Sequence, residues 1–403
     1  MQKKNSLNRS FSFENAFVHF SYQALAGIIY GFSVYMLIER GFNSSITGIA
    51  MAIANLLGLT FQPIISDYLD KNKKVTVFEV VLVMAVLISL IYICNNFVSN
   101  GSIFIIVIYI CSTVLFATLE PLINSISNVL QINNIDVNFS RARACGSFSY
   151  GIVCMAFGVL TENYSYPAVI FGGFVFALLL TFASFLIRKS FIKIKKVNIT
   201  SENTINISFK EFIITNKKFV LLCVCLVGIF FSYTCQDNFM YLVVENVGGD
   251  SKDMGIVLGL KAILEGVVMF GFYQILNRYK LRNILITSMV FFTIKSLSLS
   301  VVKTVSLVYA CQAFQMFSFA LIIPSMIEYI NINVDTRASY RANALFTMTI
   351  AGGAILSSLF GGVVADNLGV DAMNYMSFIV SFISSVCFIL ILLKEENGKS
   401  YEH

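Results

Sequence analysis

Between Lys189 and Lys218 the chain reads KSFIKIKKVNITSENTINISFKEFIITNKK, the one long segment rich in Lys, Asn, Ser and Thr in a sequence otherwise dominated by apolar runs. Six apolar stretches precede it: Ala16–Ile38, Ile46–Ile65, Val77–Ile93, Ile103–Ile123, Ala144–Leu160 and Ala168–Ile187. Six follow it: Phe219–Val243, Met254–Leu276, Ile284–Val302, Ser306–Ile327, Leu345–Val364 and Met373–Leu393. A helix needs about 20 apolar residues to cross the hydrocarbon core, and each stretch is of that order. The polar segment, 189–218, therefore reads as a linker between an N-terminal six-helix bundle, 1–188, and a C-terminal one, 219–403.

Composition excludes the other classes. Of 403 residues 57% are hydrophobic and 12% charged, with a mean hydropathy of +0.79, whereas a soluble domain is about one quarter charged. With 38 Phe and 18 Tyr the chain would collapse instead of staying solvated, which excludes disorder. The apolar stretches are continuous and do not alternate, which speaks against an outer-membrane barrel. The first stretch is too long for a cleavable signal peptide, and no small-residue cleavage pattern follows it.

Charge sets the orientation, because Lys and Arg accumulate in cytoplasmic loops. With both termini and the loops after even-numbered spans on one side, 23 of the 28 Lys and Arg fall on that side. Arg40, Lys252 and Lys303 fall on the other, and Lys261 and Lys295 lie within spans. Both termini are thus expected in the cytoplasm, and the net charge of +6 reflects topology, with no nucleic-acid partner implied. Asp70-Lys71 is echoed by Asn277-Arg278, and Arg143 by Arg341. Such parallel repetition of two six-helix halves implies a substrate site at the repeat interface, near the bilayer midplane.

The nine Cys lie within or at the edges of spans and read as small packing residues. Cys223 and Cys225 form a pair with no second Cys or His cluster, so no metal site is proposed. His19 reads as a hydrogen-bonded packing or interfacial residue and stays outside the expected mechanism. No phosphate-binding Gly loop supports an ATP-driven pump.

Ionisable groups inside a span are costly unless they pair or line a wet cavity, so each is a candidate for function. Glu120, Asp237, Lys261, Glu265 and Lys295 lie deep in spans, and Arg143 and Glu328 at span ends. Glu120 precedes Pro121, which disrupts the helix and frees backbone carbonyls. Arg143 offers a rigid fork to a carboxylate and a substrate together, or it is simply a positive-inside residue at a helix start. Lys261 and Glu265, four apart, share one helix face and could neutralise each other. Lys295 and Asp237 could pair across the bundle.

Several strings resemble the lactose permease branch of the major facilitator superfamily, the oligosaccharide:proton symporters, over nearly the whole chain. Phe61-Gln62-Pro63 followed by Asp70-Lys71 resembles that branch's FQP and loop 2–3 motif, with Ser66 where Gly is usual. Leu119-Glu120-Pro121-Leu122-Ile123 resembles the segment that carries the sugar-binding Glu. Phe139-Ser140-Arg141-Ala142-Arg143-Ala144-Cys145-Gly146-Ser147 is similar to its F-x-R-A-R-x-x-G segment, which maps the sugar-binding Arg onto Arg143 and the ring-stacking aromatic onto Tyr150. Leu264-Glu265 looks like the helix-eight carboxylate pattern, and Lys295 matches the helix-nine Arg. Gln236-Asp237-Asn238 resembles the helix-seven Asp string, with either Gln236 or Asp237 in the Asp position. In span ten the branch has Lys, His and Glu where this chain has Gln312, Gln315 and Ser318.

The resemblance implies an all-α membrane protein with twelve transmembrane helices in two six-helix bundles, the major facilitator fold. It implies no enzyme but a secondary transporter, with symport of a sugar and a proton by alternating access. Glu120, Arg143, Ser147 and Tyr150 are the expected substrate-binding residues. Glu265, Asp237, Lys295 and Lys261 are the expected proton-coupling residues, the proton serving as coupling ion with no further cofactor. The expected setting is the plasma membrane, and the expected state a monomer. An uncoupled sugar facilitator, a carrier of a nucleoside, aromatic acid or drug, and a sensor that has lost turnover remain open.

Overall fold

The structure, a computed structural model, describes residues 2–72, 75–192, 209–335 and 338–394. Among these every regular element is helical. Hydrocarbon offers backbone N–H and C=O groups no water, so an apolar stretch in it satisfies them within a helix. Residues 193–208 of the expected linker lie outside the described residues, as do 73–74, 336–337 and 395–403 with the cations they contribute to the charge asymmetry.

Ten helices among the described residues are long and apolar enough to cross a membrane. One of these, α6 (Phe139–Ile192), is two helices meeting at Ser165, whose φ of 52° turns the chain ahead of Pro167, so it carries two of the expected spans. A further span is α10 (Ser251–Phe270), whose Lys252, Asp253, Lys261 and Glu265 make it more polar than the rest. Together these give the twelve crossings expected.

The chain divides into two compact units, 1–201 with 250–262, and 202–249 with 263–403, so the division falls inside α10. The first unit holds α1 (Gln2–Ile29), α2 (Ser33–Glu39), α3 (Ser44–Lys71), α4 (Val77–Asn95), α5 (Ile103–Ile132), α6 and the start of α10. Here α1 packs chiefly on α6, α4 on α6, and α3 on α5. The second unit holds α7 (Phe209–Thr215), α8 (Lys217–Asn238), α9 (Met240–Asn246), the rest of α10, α11 (Phe272–Leu276), α12 (Leu281–Val301), α13 (Val305–Cys311), α14 (Phe319–Asn333), α15 (Ser339–Leu368) and α16 (Val370–Leu393). Its centre is α8, packed on α15 and α16.

Lipid tails are as apolar as Leu, so helices in a membrane associate through close packing and interhelical hydrogen bonds. Both devices are present. In the second unit Ser232 meets Ser296 at 3.1 Å, Thr234 meets Ser357 at 2.7 Å, and Thr293 donates to Ser385 at 2.9 Å. In the first, a Cβ on Gly255 of α10 would stand 2.4 Å from the Cys154 carbonyl of α6, so only glycine permits that approach. Large side chains such as Val83, Leu90, Phe171 and Leu390 face outward, as a lipid-solvated surface requires.

Several spans are broken where the sequence reads as continuous. Residues 30–32 separate α1 from α2, and Phe239 separates α8 from α9. Span ten runs from α13 through a 3-10 turn, Gln312–Met316, before resuming in α14. Arg40, the loop cation that departs from the charge asymmetry within the first half, is buried. Its guanidinium donates to Asn100 Oδ1 at 3.0 Å, to Asn95 Oδ1 at 2.6 Å and to the Val98 carbonyl, and it lies over the Tyr166 ring. Those acceptors compensate the desolvation that the position imposes.

Candidate substrate and coupling sites

In the first unit the site is built around Pro121. A proline lacks the N–H that would bond the carbonyl four residues earlier, here that of Ala117. Gln62 of α3 takes this place, its Nε2 donating to the Ala117 oxygen at 3.0 Å. The α5 helix is therefore held open but satisfied immediately before Glu120. One turn earlier, the Phe116 ring stacks on Tyr22 of α1 with centroids 4.4 Å apart and planes 8° from parallel. Tyr30 meets the same ring edge-on at 5.3 Å.

Glu120 lies within electrostatic reach of both the Tyr22 and Tyr30 hydroxyls. Arg143 of α6 reaches Tyr22 as well. One buried tyrosine, stacked on Phe116, is thus acted on by both a carboxylate and a guanidinium. Glu120, Arg143, Ser147 and Tyr150 are all half-buried. Arg143, Ser147 and Tyr150 fall at i, i+4 and i+7, one face of α6, and the Ser147 hydroxyl donates back to the Arg143 carbonyl at 3.5 Å. Gly146 sits among them because a Cβ there would lie 2.7 Å from Gln23 Cγ and 3.0 Å from the His19 carbonyl of α1.

His19 departs from the sequence reading. In place of a hydrogen-bonded packing residue, the structure has a fully buried imidazole with neither ring nitrogen partnered. Its ring meets the edge of Phe139 at 5.7 Å, and Arg143 acts on it electrostatically. Leaving a buried polar group unsatisfied costs about 1–3 kcal/mol.

In the second unit Gln315 is the hub. Its Oε1 accepts from the Lys295 ammonium at 2.6 Å, while its Nε2 donates to Glu265 Oε2 and to the Tyr233 hydroxyl, both at 3.2 Å. The amide dipole is aligned with its oxygen toward the cation and its nitrogen toward the carboxylate. Lys295 also lies over the Tyr233 ring, 5.3 Å from its centroid. Asp237 and Lys295 line a common water-sized cavity of about 10 Å³, together with Gln236 and Ser296. The structure thus brings Glu265 and Lys295 together through Gln315, and Asp237 and Lys295 through the cavity. Lys261, also buried, lies one turn before Glu265 on α10.

Sequence reading left Tyr22, Tyr30 and Phe116 unnamed, took Gln315 only as a replaced charge and set His19 outside the mechanism. The signal for the aromatic platform was present: Phe116 and Glu120 are four apart on α5, so the ring and the carboxylate share a face.

A sequence profile of the family described as MFS_1 like matches residues 14–377. The chain belongs to the MFS_1 like family. No curated protein matches this MFS_1 like chain. Solved structures that resemble it include a mutant of the nucleoside transporter NupG, at 14% identity and a TM-score of 0.79, covering 95% of this chain and 100% of that one. An auto-inhibited POT family peptide transporter matches at 9% identity and 0.71, covering 98% and 99%. A bacterial homologue of the iron transporter ferroportin, in an inward-facing state, matches at 13% and 0.68, covering 96% and 99%. At such identities the likeness is one of fold. It establishes a multi-pass membrane protein of twelve helices with the fold of major facilitator transporters.

Proposed function

We propose that this MFS_1 like protein is a secondary transporter that moves a sugar, an oligosaccharide or glycoside, together with a proton by alternating access. The observation that carries the reading is that Glu120 of α5 and Arg143 of α6 both act electrostatically on Tyr22, whose ring stacks on Phe116. A pyranose presents hydroxyls that both donate and accept, and a face of C–H groups that packs on an aromatic ring. A carboxylate and a guanidinium match the hydroxyls, and Tyr150, on the same face of α6 as Arg143 and Ser147 and only half-buried, supplies a ring for the C–H face. The proton is assigned to Glu265, which accepts from Gln315, with Lys295, Asp237 and Lys261 as the further charged groups of the coupling set. The resemblance of residues 139–147 to the lactose permease branch supports the sugar assignment, and the charge asymmetry supports a plasma-membrane setting with both termini cytoplasmic.

A nucleoside is the second reading, and the Tyr30 ring, exposed beside Phe116, favours it, because a flat base stacks on such a ring while a pentose supplies hydroxyls. The likeness to NupG is consistent with it.

The test is the external pH of lightly buffered, de-energised cells expressing the chain while galactosides, sucrose, raffinose, glucosides and nucleosides are added in turn. Alkalinisation with one sugar, lost in Glu120→Gln, supports the proposal. Alkalinisation with nucleosides alone moves the assignment to the second reading. Silence with labelled-sugar counterflow retained makes the protein an uncoupled carrier.

A further inference from the structure

Between residues 18 and 30 of α1, Phe20, Gln23 and Tyr30 alone escape full burial. Spaced three and seven residues apart, they fall on one face of the helix. Gln23 is the amide on that open face, and α6 fixes where its stem lies. A Cβ on Gly146 would stand 2.7 Å from Gln23 Cγ and 3.3 Å from Gln23 Cβ, so glycine lets the stem rest against the α6 backbone. Gly146 is three residues after Arg143 and four before Tyr150, and it adjoins both on the surface of α6. Gln23 therefore stands at the edge of the face that carries Arg143, Ser147 and Tyr150, all half-buried. Among the described residues its amide has no hydrogen-bond partner, and neither its oxygen nor its nitrogen is sealed inside the protein. A polar group in that condition inside a membrane span is costly unless it meets water or a ligand.

We propose that Gln23 is a substrate-binding residue that determines which arrangement of sugar hydroxyls is accepted. An ionised carboxylate only accepts and a guanidinium only donates, whereas an amide does both, with one oxygen and two N–H groups. Neighbouring hydroxyls on a pyranose can meet it as a pair, one donating to Oε1 and the other accepting from Nε2. A sugar that lacks one of the two hydroxyls, or carries it on the other side of the ring, leaves the amide half-paired in a dehydrated site. That penalty is the kind that discriminates between close analogues. The inference rests on the assignment of the Arg143 face of α6 to a sugar, and it adds the element of that site which α1 supplies.

The probes are methyl galactoside and methyl glucoside, intact and with one ring hydroxyl at a time replaced by hydrogen. Binding to the purified full chain is read as protection from thermal unfolding. Gln23→Leu, which keeps a stem against Gly146, is expected to lower the affinity for the preferred glycoside on the order of tenfold. Its unfolding midpoint without ligand should stay at the native value, since no hydrogen bond within the protein is lost. In the native chain one deoxy analogue should show a loss of the same size. Gln23→Leu should bind that analogue as well as it binds the intact glycoside, the non-additivity that marks a direct contact. Native affinity in Gln23→Leu overturns the proposal while a loss of binding in Arg143→Met leaves the sugar site standing. Losses that simply add across the deoxy series overturn it too, and with a lowered midpoint they make Gln23 a packing residue. Undiminished binding in Arg143→Met overturns the substrate face on which the proposal rests. Absence of protection by every glycoside, sucrose and raffinose included, overturns both.

Discussion

Gln62 donates to the carbonyl of Ala117 at 3.0 Å, the carbonyl that Pro121 leaves without its helical partner. The bond joins two strings that sequence reading singled out separately, the FQP of α3 and the Glu-Pro of α5. It explains how a proline can sit inside a membrane-spanning helix beside Glu120, the carboxylate proposed to bind substrate: the freed acceptor is taken by a neighbouring helix.

Removing that donor should be costly, and restoring the helical N–H should repair it. Gln62→Leu leaves the Ala117 oxygen unsatisfied in an apolar interior, a loss of about 1–3 kcal/mol. Pro121→Ala supplies the missing N–H. Thermal unfolding of the purified protein should show a lower midpoint for Gln62→Leu alone and recovery in the double variant. Additive losses would mean that the bond does not compensate the proline.

Glu120→Gln keeps the shape of the side chain and replaces one charged acceptor by a neutral amide. Hydrogen bonds to a charged group contribute about 1.5–3 kcal/mol, so substrate affinity should fall about 10- to 100-fold with the fold intact. Binding measured by protection from thermal unfolding checks this. An affinity within a factor of two of the native one removes Glu120 from the substrate site.

How far the sequence carried this reading varies with the physics of each feature. The spans were legible because burial in hydrocarbon imposes length, while the orientation rests on the unequal fall of the cations alone. Glu120 stood out as a candidate because charges within spans are rare, and Arg143, at a span end, through the resemblance of residues 139–147. The helix breaks at residues 30–32 and 312–316 were not, since no proline or polar run marks them; they follow from tertiary packing. Gln315 read as the loss of a charge, because sequence cannot show that an amide spans the distance between Lys295 and Glu265. His19 was set aside for the same reason: whether an imidazole finds a partner depends on which helices face it.

Glu265→Gln should abolish accumulation against a gradient and spare exchange, since exchange needs no net proton release. Labelled-sugar uptake in energised cells, set beside counterflow in vesicles, separates the two. Accumulation at the native level would sink the assignment of the proton to Glu265.

Gln315→Leu is the sharper test of the second unit, because it removes the bridge and leaves both charges. Lys295 loses the acceptor at 2.6 Å and Glu265 the donor at 3.2 Å. With the bridge gone, the proton step assigned to Glu265 loses its link to Lys295 and should falter. Accumulation should drop toward the level of Glu265→Gln while exchange persists. The two changes combined should be no worse than Glu265→Gln alone, since both act on one proton. A further loss in the double variant would mean that Gln315 serves transport by a route that does not pass through Glu265.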